Sequence, residues 1–369
     1  MQADVSVVMP LYNARDFLQL TVDSIFNQTL KNIELVVVDD CSTDGSLDLC
    51  RELYGRDERV RIIQQPRNMG PGAARNTGIR SARGKYISMV DSDDELLPDT
   101  LANLFEAAEK YNADIVHNTQ FVYPIPDDDN NIPLQLFNSA ELLHFGAENQ
   151  YYPEVTPLSD DLSERLQQWL ERKISWSVCN KMFRREFLVD NGIFFSDMKL
   201  AEDMVFCFEG LFKSKNYVVV PGGGYVYRIL STSLSRGQKT PAHIVKALKS
   251  QMGAVSNMRR VLRGIPFFVD NPDKAVIALE RVLDDLELGY IRPAFQDLGA
   301  EALRSDETLH AFMQEEFGGK APYVEFLFYE LHKKYEPVVD YFAMLRNMET
   351  WKALAKQMRE AKEKAGNAG

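Results

Sequence analysis

The first 120 residues alternate short, strongly apolar runs with segments in which apolar residues recur at helical spacing. The runs have the length and β-branched content of strands, and three of them are almost continuously apolar. Continuous apolarity is typical of parallel strands that are covered on both faces. The predicted strands are VSVVMP (5–10), IELVVVDD (33–40), RVRIIQQ (59–65), KYISMVD (85–91) and ADIVHNTQFV (113–122).

Amphipathic helices are predicted between these strands. Their apolar stripes are Leu18, Val22, Ile25 and Phe26; Leu47, Cys50, Leu53 and Tyr54; and Leu101, Leu104, Phe105 and Ala108. Gly55 is placed to end the second helix, and Pro98 suits the first position of the last one. This alternation predicts an open α/β sheet with right-handed crossovers, whose ligands bind outside the carboxyl ends of the strands.

The pattern weakens between about residues 122 and 170, where PIPDDDNNIP (124–133) predicts a solvated loop. Mixed helix and strand character returns in WSVCNKMFRREFL (176–188) and over residues 200–229. After Pro241 only helical patterns continue, as in residues 243–262 and 273–291. We therefore predict an α/β domain over residues 1–236 and a helical domain over 237–369, whose role could be acceptor binding, membrane contact or oligomerisation.

The bulk composition narrows the function classes. A formal charge of −12 argues against broad nucleic-acid binding, which depends on neutralising phosphates. The four cysteines show neither zinc-site nor disulfide spacing and favour reduced thiols in the cytoplasm. The N-terminus lacks a signal-peptide pattern, and no apolar run approaches the ~20 residues of a membrane helix. We expect a cytoplasmic protein, either free or at the inner face of the cytoplasmic membrane.

Carboxylates gather where two of the predicted strands end, at Asp39–Asp40 and within DSDDE (91–95). Packed together without a counter-ion, such charges repel and raise one another's pKa, so they point apart into water or surround a cation. The second loop does not fit a calcium-binding EF hand, because Leu96 stands where that loop needs glycine. One or two carboxylates acting with substrate phosphates are instead a common site for Mg²⁺.

The turn that follows Asp39 and Asp40 is rich in serine, threonine and glycine. Asp44 or Ser46 can cap the next helix, which explains those two residues. Asp39 and Asp40 precede the turn and need another explanation. In a cleft, such carboxylates can accept hydrogen bonds from a nucleobase or a ribose.

The segment GPGAAR (70–75) comes close to the glycine-rich fingerprint of dinucleotide-binding proteins, but Arg75 replaces its third glycine. It also follows the third predicted strand, whereas that fingerprint follows the first. Gly70 and Pro71 instead begin a helix whose small residues permit close approach of backbone or ligand. Arg75 is then a fixed cation among small residues, suited to anchoring a carboxylate or a phosphate.

Four motifs occur in order along the first third of the chain: MPLYN (9–13), VDDCSTDGS (38–46), NMGPGAARNTGI (68–79) and DSDD (91–94). Together they resemble the motifs of family 2 glycosyltransferases, which have the GT-A fold. WSVCNKMFRREFL, AEDMVF (201–206) and YVYR with STS (225–233) extend the resemblance more loosely to about residue 235. It implies a Rossmann-like, mostly parallel sheet and inverting transfer from a nucleotide-sugar donor, most commonly a UDP-sugar. The acceptor would be a glycan or a lipid-linked acceptor in bacterial surface-polysaccharide synthesis.

The resemblance also implies roles for individual residues. Asp91 would approach the ribose, Asp93 and Asp94 would form the site for Mn²⁺ or Mg²⁺, and Glu95 would face water. Asp203 would be the general base, with Glu202 beside it. The segment from Arg228 to Ser233 would close over the diphosphate. The full nucleotide-sugar site would comprise Pro10, Tyr12, Asn13, Asp39, Asp40, Asn68, Gly70, Arg75, Asp91, Ser92, Arg228 and Ser233.

Several assignments keep an alternative. Glu202 and Asp203 also suit the first turn of a helix, where acids are favoured. Trp176 and Lys181 are both candidates for the acceptor site. Trp176 can stack on an acceptor or pack in the core, and Lys181 can meet a phosphate or lie on the surface. The basic residues of RRVLRG (259–264) and WKALAKQMREAKEKAG (351–366) can contact anionic lipid or form a solvated helix face.

Two other functions stay open. A sugar nucleotidyltransferase has a similar sheet but needs a glycine-rich phosphate loop after its first strand, and MPLYNARDF offers none. A catalytically inactive nucleotide-binding scaffold would keep the fold, although the intact Asp93 and Asp203 disfavour it. The QxxRW signature of processive family members is absent from the sequence, which favours a non-processive enzyme.

Overall fold

The structure, a computed structural model, describes residues 3–124, 143–145, 152–198, 201–228, 240–286 and 306–318. The chain divides into two compact units, Met1–Ser233 with Ser250–Asp284, and Leu234–Lys249 with Asp285–Gly369. The domain boundary near residue 236 stays a prediction. The predicted loop over residues 124–133, apart from its first residue, lies outside the described part of the chain.

One sheet forms the core of the first unit, and it contains a strand at each of the five predicted positions. β1 is buried along its whole length, and β2 is buried except at Glu34, as expected of strands covered on both faces. The described strands are β1 (Val5–Leu11), β2 (Ile33–Asp39), β3 (Val60–Gln64), β4 (Tyr86–Met89), β5 (Glu95–Leu96), β6 (Ile115–Pro124), β7 (Leu143–Phe145), β8 (Thr156–Pro157), β9 (Lys181–Arg184) and β10 (Tyr217–Val226).

The main path of the sheet has the order β3-β2-β1-β4-β9-β6-β10-β5, while β7 pairs with β6 and β8 with β10. β3, β2, β1 and β4 are parallel neighbours, so this half has the doubly wound form that the apolar pattern predicts. β6 and β10 are also parallel to each other. β9 lies antiparallel between β4 and β6, and it carries the segment that follows Trp176 into the middle of the sheet.

Helices pack around this sheet. Those described up to residue 213 are α1 (Leu18–Phe26), α2 (Ser46–Tyr54), α3 (Pro71–Ser81), α4 (Thr100–Lys110), α5 (Leu162–Leu170), α6 (Arg185–Asp190) and α7 (Glu202–Lys213). The predicted apolar stripes of α1, α2 and α4 are buried or half-buried, apart from the exposed Leu53. Leu53 belongs to α2, which packs beside the half-buried edge strand β3 and is therefore covered on fewer sides.

Two details of the predicted helix ends differ from the structure. α4 begins at Thr100, so Pro98 lies before the helix. The Leu97 N–H donates to the Gly224 carbonyl (2.8 Å), and the Pro98 carbonyl accepts from Thr29 N–H (2.9 Å), which holds both residues outside the helix. Gly55 follows the end of α2 as predicted, but with a φ of −64°, which any residue adopts.

The described residues after Pro241 are helical, as predicted, in α8 (Pro241–Arg263), α9 (Pro266–Asp270), α10 (Pro272–Leu286) and α11 (Glu307–Phe317). Within the first unit, Lys274 Nζ of α10 lies 2.7 Å from Ser163 Oγ of α5. Among the described residues, no helix combines the length and the apolarity needed to cross a membrane. The predicted basic helix over residues 351–366 lies outside the described part of the chain.

Candidate active site

The carboxyl ends of β2 and β4 flank the carboxyl end of β1, because the register pairs Leu11 with Asp39 and Val8 with Met89. The chain leaves β2 and β4 into the two segments that carry the acidic clusters. The structure therefore brings both clusters to one edge of the sheet. It surrounds them, however, with different kinds of partner.

Backbone N–H groups satisfy both carboxylates of the first cluster, and both are buried. Asp39 accepts hydrogen bonds from the N–H groups at positions 41 and 42, at 3.1 and 3.2 Å. Asp40 accepts from Met69 and Gly70 N–H, both at 2.7 Å. Burial raises the pKa of Asp40, and these two N–H bonds lower it in part. The two acids thus shape the loops after β2 and β3, which is a structural explanation that the sequence pattern did not supply.

Other predicted donor-site residues lie on the same segments as this cluster or next to them, and they differ in exposure. Tyr12 is 49% exposed directly after β1, and Asn68 is also exposed, so both can contact a ligand. Pro10 is buried within β1. Asn13 has a φ of 49°, and its Oδ1 accepts from the N–H at position 43 (2.7 Å), which ties two loops together. Gly70 has a φ of 88°, a conformation that favours glycine.

The N-cap of α2 is Gly45, with a φ of 86°, so neither Asp44 nor Ser46 occupies the predicted capping position. Asp44 Oδ1 accepts the N–H of Ser46, the first residue of that helix, at 2.9 Å. Asp44 Oδ2 also accepts the N–H of Arg15 at 3.0 Å. Asp44 and Ser46 therefore have structural roles, as the sequence indicated.

Arg75, on α3, joins three carboxylates from two segments that are distant in sequence. Its Nη2 lies 2.7 Å from Asp91 Oδ1. Its Nη1 lies 3.2 Å from Glu202 Oε1 and 3.1 Å from Asp203 Oδ1. The Arg75 side chain is only 5% exposed, and its guanidinium lies 5.5 Å from the centre of the Phe195 ring. Of the two partner types that the sequence left open for Arg75, the structure pairs it with carboxylates.

Local features of α3 and α7 bring these groups together. A Cβ on Gly72 would lie 3.2 Å from both Glu202 Cγ and Phe195 Cβ, so glycine lets the two segments approach closely. Ala201 precedes α7 with a φ of 63°. This left-handed conformation costs roughly 1–2 kcal/mol for a residue with a Cβ. It places Glu202 and Asp203 in the first turn of α7, where the helix dipole favours negative charge.

The two acids of α7 differ in exposure. The Asp203 side chain is 18% exposed, whereas that of Glu202 is 9% exposed. Burial raises the pKa of Asp203 to about 7, with Arg75 lowering it and Glu202 and Asp91 raising it further. Burial also raises the pKa of Glu202, and Arg75 lowers it in part. A carboxylate with a pKa near neutrality and some access to solvent is well suited to take up a proton.

The buried end of the second acidic cluster is held by β10. Asp94 Oδ2 accepts a hydrogen bond from Tyr225 OH (2.6 Å), and its Oδ1 accepts one from Arg228 N–H (2.7 Å). Glu95 forms a buried ion pair with the Arg228 guanidinium. The prediction that Glu95 faces water is therefore wrong. β5 pairs antiparallel with β10, and this pairing places Glu95 opposite Val226, beside Arg228.

Arg228 is tied to the acidic loop at a second point. Its Nε donates to the backbone carbonyl of Asp93 at 3.0 Å, and the residue is 2% exposed. Its predicted contact with a diphosphate stays a prediction. Ser233, predicted in the same contact, lies outside the described residues.

Asp93 is the carboxylate of this loop with the strongest case for holding a divalent cation. Burial and the neighbouring Asp91 raise its pKa to about 6, which marks a local shortage of positive charge. Among the described residues, no three potential ligand side chains converge on one point. Asp93 therefore fits Mg²⁺ or Mn²⁺ in the mode in which a carboxylate shares the ion with substrate phosphates. Asp94, predicted beside it, directs both oxygens at Tyr225 and Arg228 and supports the loop.

Lys181 organises the loop over residues 175–180. Its Nζ lies 2.9 Å from the Ser175 carbonyl, 2.6 Å from the Ser177 carbonyl and 3.0 Å from Asn180 Oδ1. The residue is 1% exposed, and burial lowers its pKa to about 8. The predicted surface position is therefore wrong. A phosphate contact is also disfavoured, because an ammonium group has three donors and this loop takes all of them.

The same loop carries Trp176 and Cys179. Trp176 is 37% exposed, so its ring is open to a ligand, and its predicted contact with an acceptor stays a prediction. Cys179 Sγ lies 3.4 Å from Asp91 Oδ2. Ser92, the remaining predicted donor residue, is buried, and its carbonyl accepts from Thr21 Oγ1 at 3.0 Å.

The sequence interpretation missed two side chains at the acidic cluster, Cys179 and Tyr225. The Tyr225 hydroxyl accepts from Asp91 N–H (3.1 Å) and donates to Asp94 (2.6 Å), which joins the two ends of the loop. Both residues lie in segments that extend the family resemblance, but neither was singled out, because each reaches the cluster only through the pairing of strands that are distant in sequence. The order of the strands in the sheet is the feature that would have identified both residues.

Comparisons with known proteins support the predicted family and fold. The sequence model described as Glycosyl transferase family 2 matches residues 6–188. The chain is 32% identical over 252 residues to the uncharacterized glycosyltransferase EpsJ of Bacillus subtilis, covering 67% of this chain and 68% of EpsJ. It is 32% identical over 234 residues to the succinoglycan biosynthesis protein ExoO of Rhizobium meliloti, covering 63% of each.

Two solved structures are similar in fold. S. aureus TarS 1–349 in complex with UDP-GlcNAc has a TM-score of 0.56 at 18% identity, covering 90% of this chain and 91% of that one. The mannosyltransferase PcManGT from Pyrobaculum calidifontis, in complex with GDP-Man and Mn²⁺, has a TM-score of 0.50 at 16% identity, covering 91% and 88%. These likenesses confirm the predicted GT-A fold.

Proposed function

Because the chain belongs to family 2 of the glycosyltransferases, we propose that it transfers a sugar from a nucleotide-sugar donor to an acceptor hydroxyl with inversion at the anomeric carbon. The proposed donor is a UDP-sugar, hexosyl or N-acetylhexosaminyl, and the proposed acceptor is a glycan or a lipid-linked acceptor. The proposed reaction needs Mg²⁺ or Mn²⁺.

One observation carries this proposal: Arg75 joins Asp91, next to the cation-site candidate Asp93, to the acidic pair that opens α7. Arg75 therefore forms ion pairs both with Asp91, on the donor side, and with Asp203, which is suited to act as a base. Glycosyl transfer needs these two functions close together, because the bond to the acceptor forms as the bond to the nucleotide breaks.

Asp203 would accept the proton of the acceptor hydroxyl. A hydroxyl is a poor nucleophile until a base removes its proton in the transition state. The pKa of Asp203, raised to about 7 by burial, suits it to take up that proton near neutral pH. Attack from the face opposite the nucleotide would give inversion in a single displacement, as in inverting glycosidases.

Asp93 would hold the divalent cation, with phosphate oxygens of the donor as further ligands. When bound, the cation supplies electrostatic stabilisation of the diphosphate as its negative charge develops. Arg228, already fixed at the Asp93 carbonyl, would add positive charge on the same side. Since Asp93 would share the ion with phosphates, the cation should bind poorly alone and well with the donor.

The substrate classes are supported by exposed side chains and by the relatives. Tyr12 and Asn68 stand at the rim of the donor side, and Trp176 stands on the loop beside Asp91. TarS binds UDP-GlcNAc and PcManGT binds GDP-Man, which supports a nucleotide-sugar donor. ExoO is a succinoglycan biosynthesis protein, which supports a role in polysaccharide synthesis. We place the reaction in the cytoplasm or at the inner face of its membrane, where nucleotide sugars are made.

A screen of nucleotide sugars for thermal stabilisation in the presence of Mn²⁺ would identify the donor, because a bound ligand stabilises the folded state by an amount that grows with the logarithm of its concentration over Kd. Transfer would then be followed by UDP release with candidate acceptors. We expect release to require the cation and to disappear in Asp93→Ala, while the exposed Asp48→Ala on α2 retains it.

Other outcomes would redirect the proposal. Full activity in the presence of a chelator would contradict the role of the cation. Nucleotide binding without turnover of any donor and acceptor pair would indicate an inactive scaffold. Release of pyrophosphate from a nucleoside triphosphate and a sugar phosphate would indicate a nucleotidyltransferase.

A further inference from the structure

We propose that Arg75 is a positioning residue for the reaction, which holds the base Asp203 in fixed alignment with the donor-side carboxylate Asp91. This inference rests on the proposed function. It differs from the role that the family resemblance implies, in which Arg75 belongs to the nucleotide-sugar site.

The guanidinium is directed at carboxylates on two sides. Nη2 contacts Asp91 at 2.7 Å, while Nη1 contacts Glu202 at 3.2 Å and Asp203 at 3.1 Å. A guanidinium is rigid and planar, so the position of one bound carboxylate fixes the position of the other. Arg75 therefore converts two separate chain segments into one unit of fixed geometry.

The backbone around Arg75 is fixed as well. Asn76, the next residue of α3, donates from Nδ2 to the Phe195 carbonyl (2.9 Å) and accepts from Phe195 N–H at Oδ1 (2.8 Å). Phe195 in turn lies in contact distance of a Cβ built on Gly72. α3 is thus tied to the segment that precedes α7 by two hydrogen bonds and a close backbone approach. A side chain held on such a rigid element can impose alignment on flexible partners.

The charges around Asp203 make Arg75 the main local cation. Glu202 faces it from α7 and Asp91 from the loop after β4, while Cys179 and Cys207 contribute neutral thiols. Lys181, on β9, is the other cation, but its ammonium donors contact the loop over 175–180. Removal of Arg75 would leave three carboxylates close together, and their mutual repulsion would both separate them and favour their protonated forms.

The test compares Arg75→Lys and Arg75→Gln with the matched variants Arg80→Lys and Arg80→Gln. Arg80 lies on the same helix but is exposed, with its guanidinium over the Phe194 ring. Thermal unfolding shows which variants are folded. If Arg75→Gln is too unstable to purify, Arg75→Lys is measured in its place, because it keeps the positive charge but loses the planar guanidinium. The measurements are kcat, the KM for the donor, and the dependence of kcat on pH.

We expect kcat to fall about 100-fold in the Arg75 variants, since a displacement of about 1 Å in an aligned site has this effect. The donor KM should rise by a much smaller factor than kcat falls, because Asp91 is only one of the predicted donor contacts. In Arg75→Gln the acidic limb of the kcat profile should move to higher pH by about one unit, because an opposite charge is lost beside the base. The Arg80 variants should change neither quantity.

Arg75 variants with unchanged kcat and an unchanged acidic limb would overturn the proposal. A rise in donor KM alone, with kcat unchanged, would also overturn it and assign Arg75 to the nucleotide. If the unsubstituted protein shows no turnover, the proposed function fails and the alignment can still be tested by a carboxyl-carbon NMR titration. A pKa of Asp203 that rises in Arg75→Gln then supports the alignment, and an unchanged pKa refutes it.

Discussion

The two acidic clusters at the edge of the sheet look alike in sequence and differ in structure. Asp39 and Asp40 end β2 and are satisfied by backbone N–H groups of the loops that they hold. The acids at positions 91–95 end β4 and are met by side chains, namely Arg75, Arg228 and the hydroxyl of Tyr225. The first cluster is bound by fixed backbone dipoles. In the second cluster, Asp91 and Glu95 are bound by guanidinium groups, and Asp94 is bound by a hydroxyl and one backbone N–H.

The two kinds of partner indicate two roles for these carboxylates: some hold a loop in place, and others take part in the reaction. A carboxylate that accepts two backbone N–H bonds keeps a loop in place, and removing it exposes unsatisfied donors. A carboxylate with a raised pKa beside a cation can instead exchange a proton or a metal ion near neutral pH. Acids at the ends of parallel strands are therefore best classified by the kind of partner that balances them.

The largest effect should come from Asp203→Asn. We expect kcat to fall about 1,000-fold or more, because the amide cannot accept the proton of the acceptor. Nucleotide binding, measured by calorimetry, should be retained. Glu202→Gln is the matched variant, and a greater loss there than in Asp203→Asn would identify Glu202 as the base.

The next effect should be on stability, in the other cluster. Asp40→Ala removes the acceptor of two short backbone N–H bonds, and we expect the free energy of unfolding to fall by about 3 kcal/mol. Urea unfolding measures this, with the exposed Asp48→Ala as the control. If Asp40→Ala unfolds at the same urea concentration as the unsubstituted protein, the carboxylates at positions 39–40 do not stabilise their loops. The proposed difference between the two acidic clusters would then be wrong.

The dependence of kcat on pH should show a smaller effect. Asp203 must be ionised to act as a base, and burial raises its pKa to about 7. The rate should therefore be full above this pH and fall about tenfold for each unit of pH below it. A further loss near pH 6 should reflect protonation of Asp93, whose pKa is raised to about 6. Additional Mn²⁺ should reverse only that second loss, and a flat profile between pH 5.5 and 8 would contradict both assignments.

Cys179→Ala should have the smallest effect. The thiol is a weak donor that lies 3.4 Å from Asp91 Oδ2, whereas Arg75 already holds the other oxygen of this carboxylate. We expect kcat to change about threefold or less, which corresponds to a weak neutral hydrogen bond. A loss above tenfold would place Cys179 beside Arg75 as a determinant of the Asp91 position.

Features encoded locally were predictable from the sequence. The apolar runs of β1 and β2, the helix that begins after Gly70, and the acids at the strand ends all follow from patterns within a dozen residues. The pairing of β5 with β10 does not, since its contacts join residues 131 positions apart, as between Tyr225 and Asp94. That pairing determines why Glu95 is buried and why Pro98 lies outside α4.

The composition of the site was more predictable than its connections. Motifs identified Arg75, Asp91 and the pair at 202–203 as site residues, but nothing local indicates that one guanidinium contacts all three acids. Lys181 shows the same limit, because a lysine beside a strand gives no sign that a preceding loop will fold over its ammonium group. Such contacts depend on the order of strands in the sheet.

Gly72 has a practical consequence for altering the specificity of this protein. A methyl group there would lie 3.2 Å from Glu202 Cγ and from Phe195 Cβ, so either these side chains or α3 would have to shift beside the base. The side chains of Tyr12 and Trp176 are exposed and take no part in the ion pairs of Arg75. A library built to accept new donors or acceptors should therefore vary these two positions and leave α3 intact.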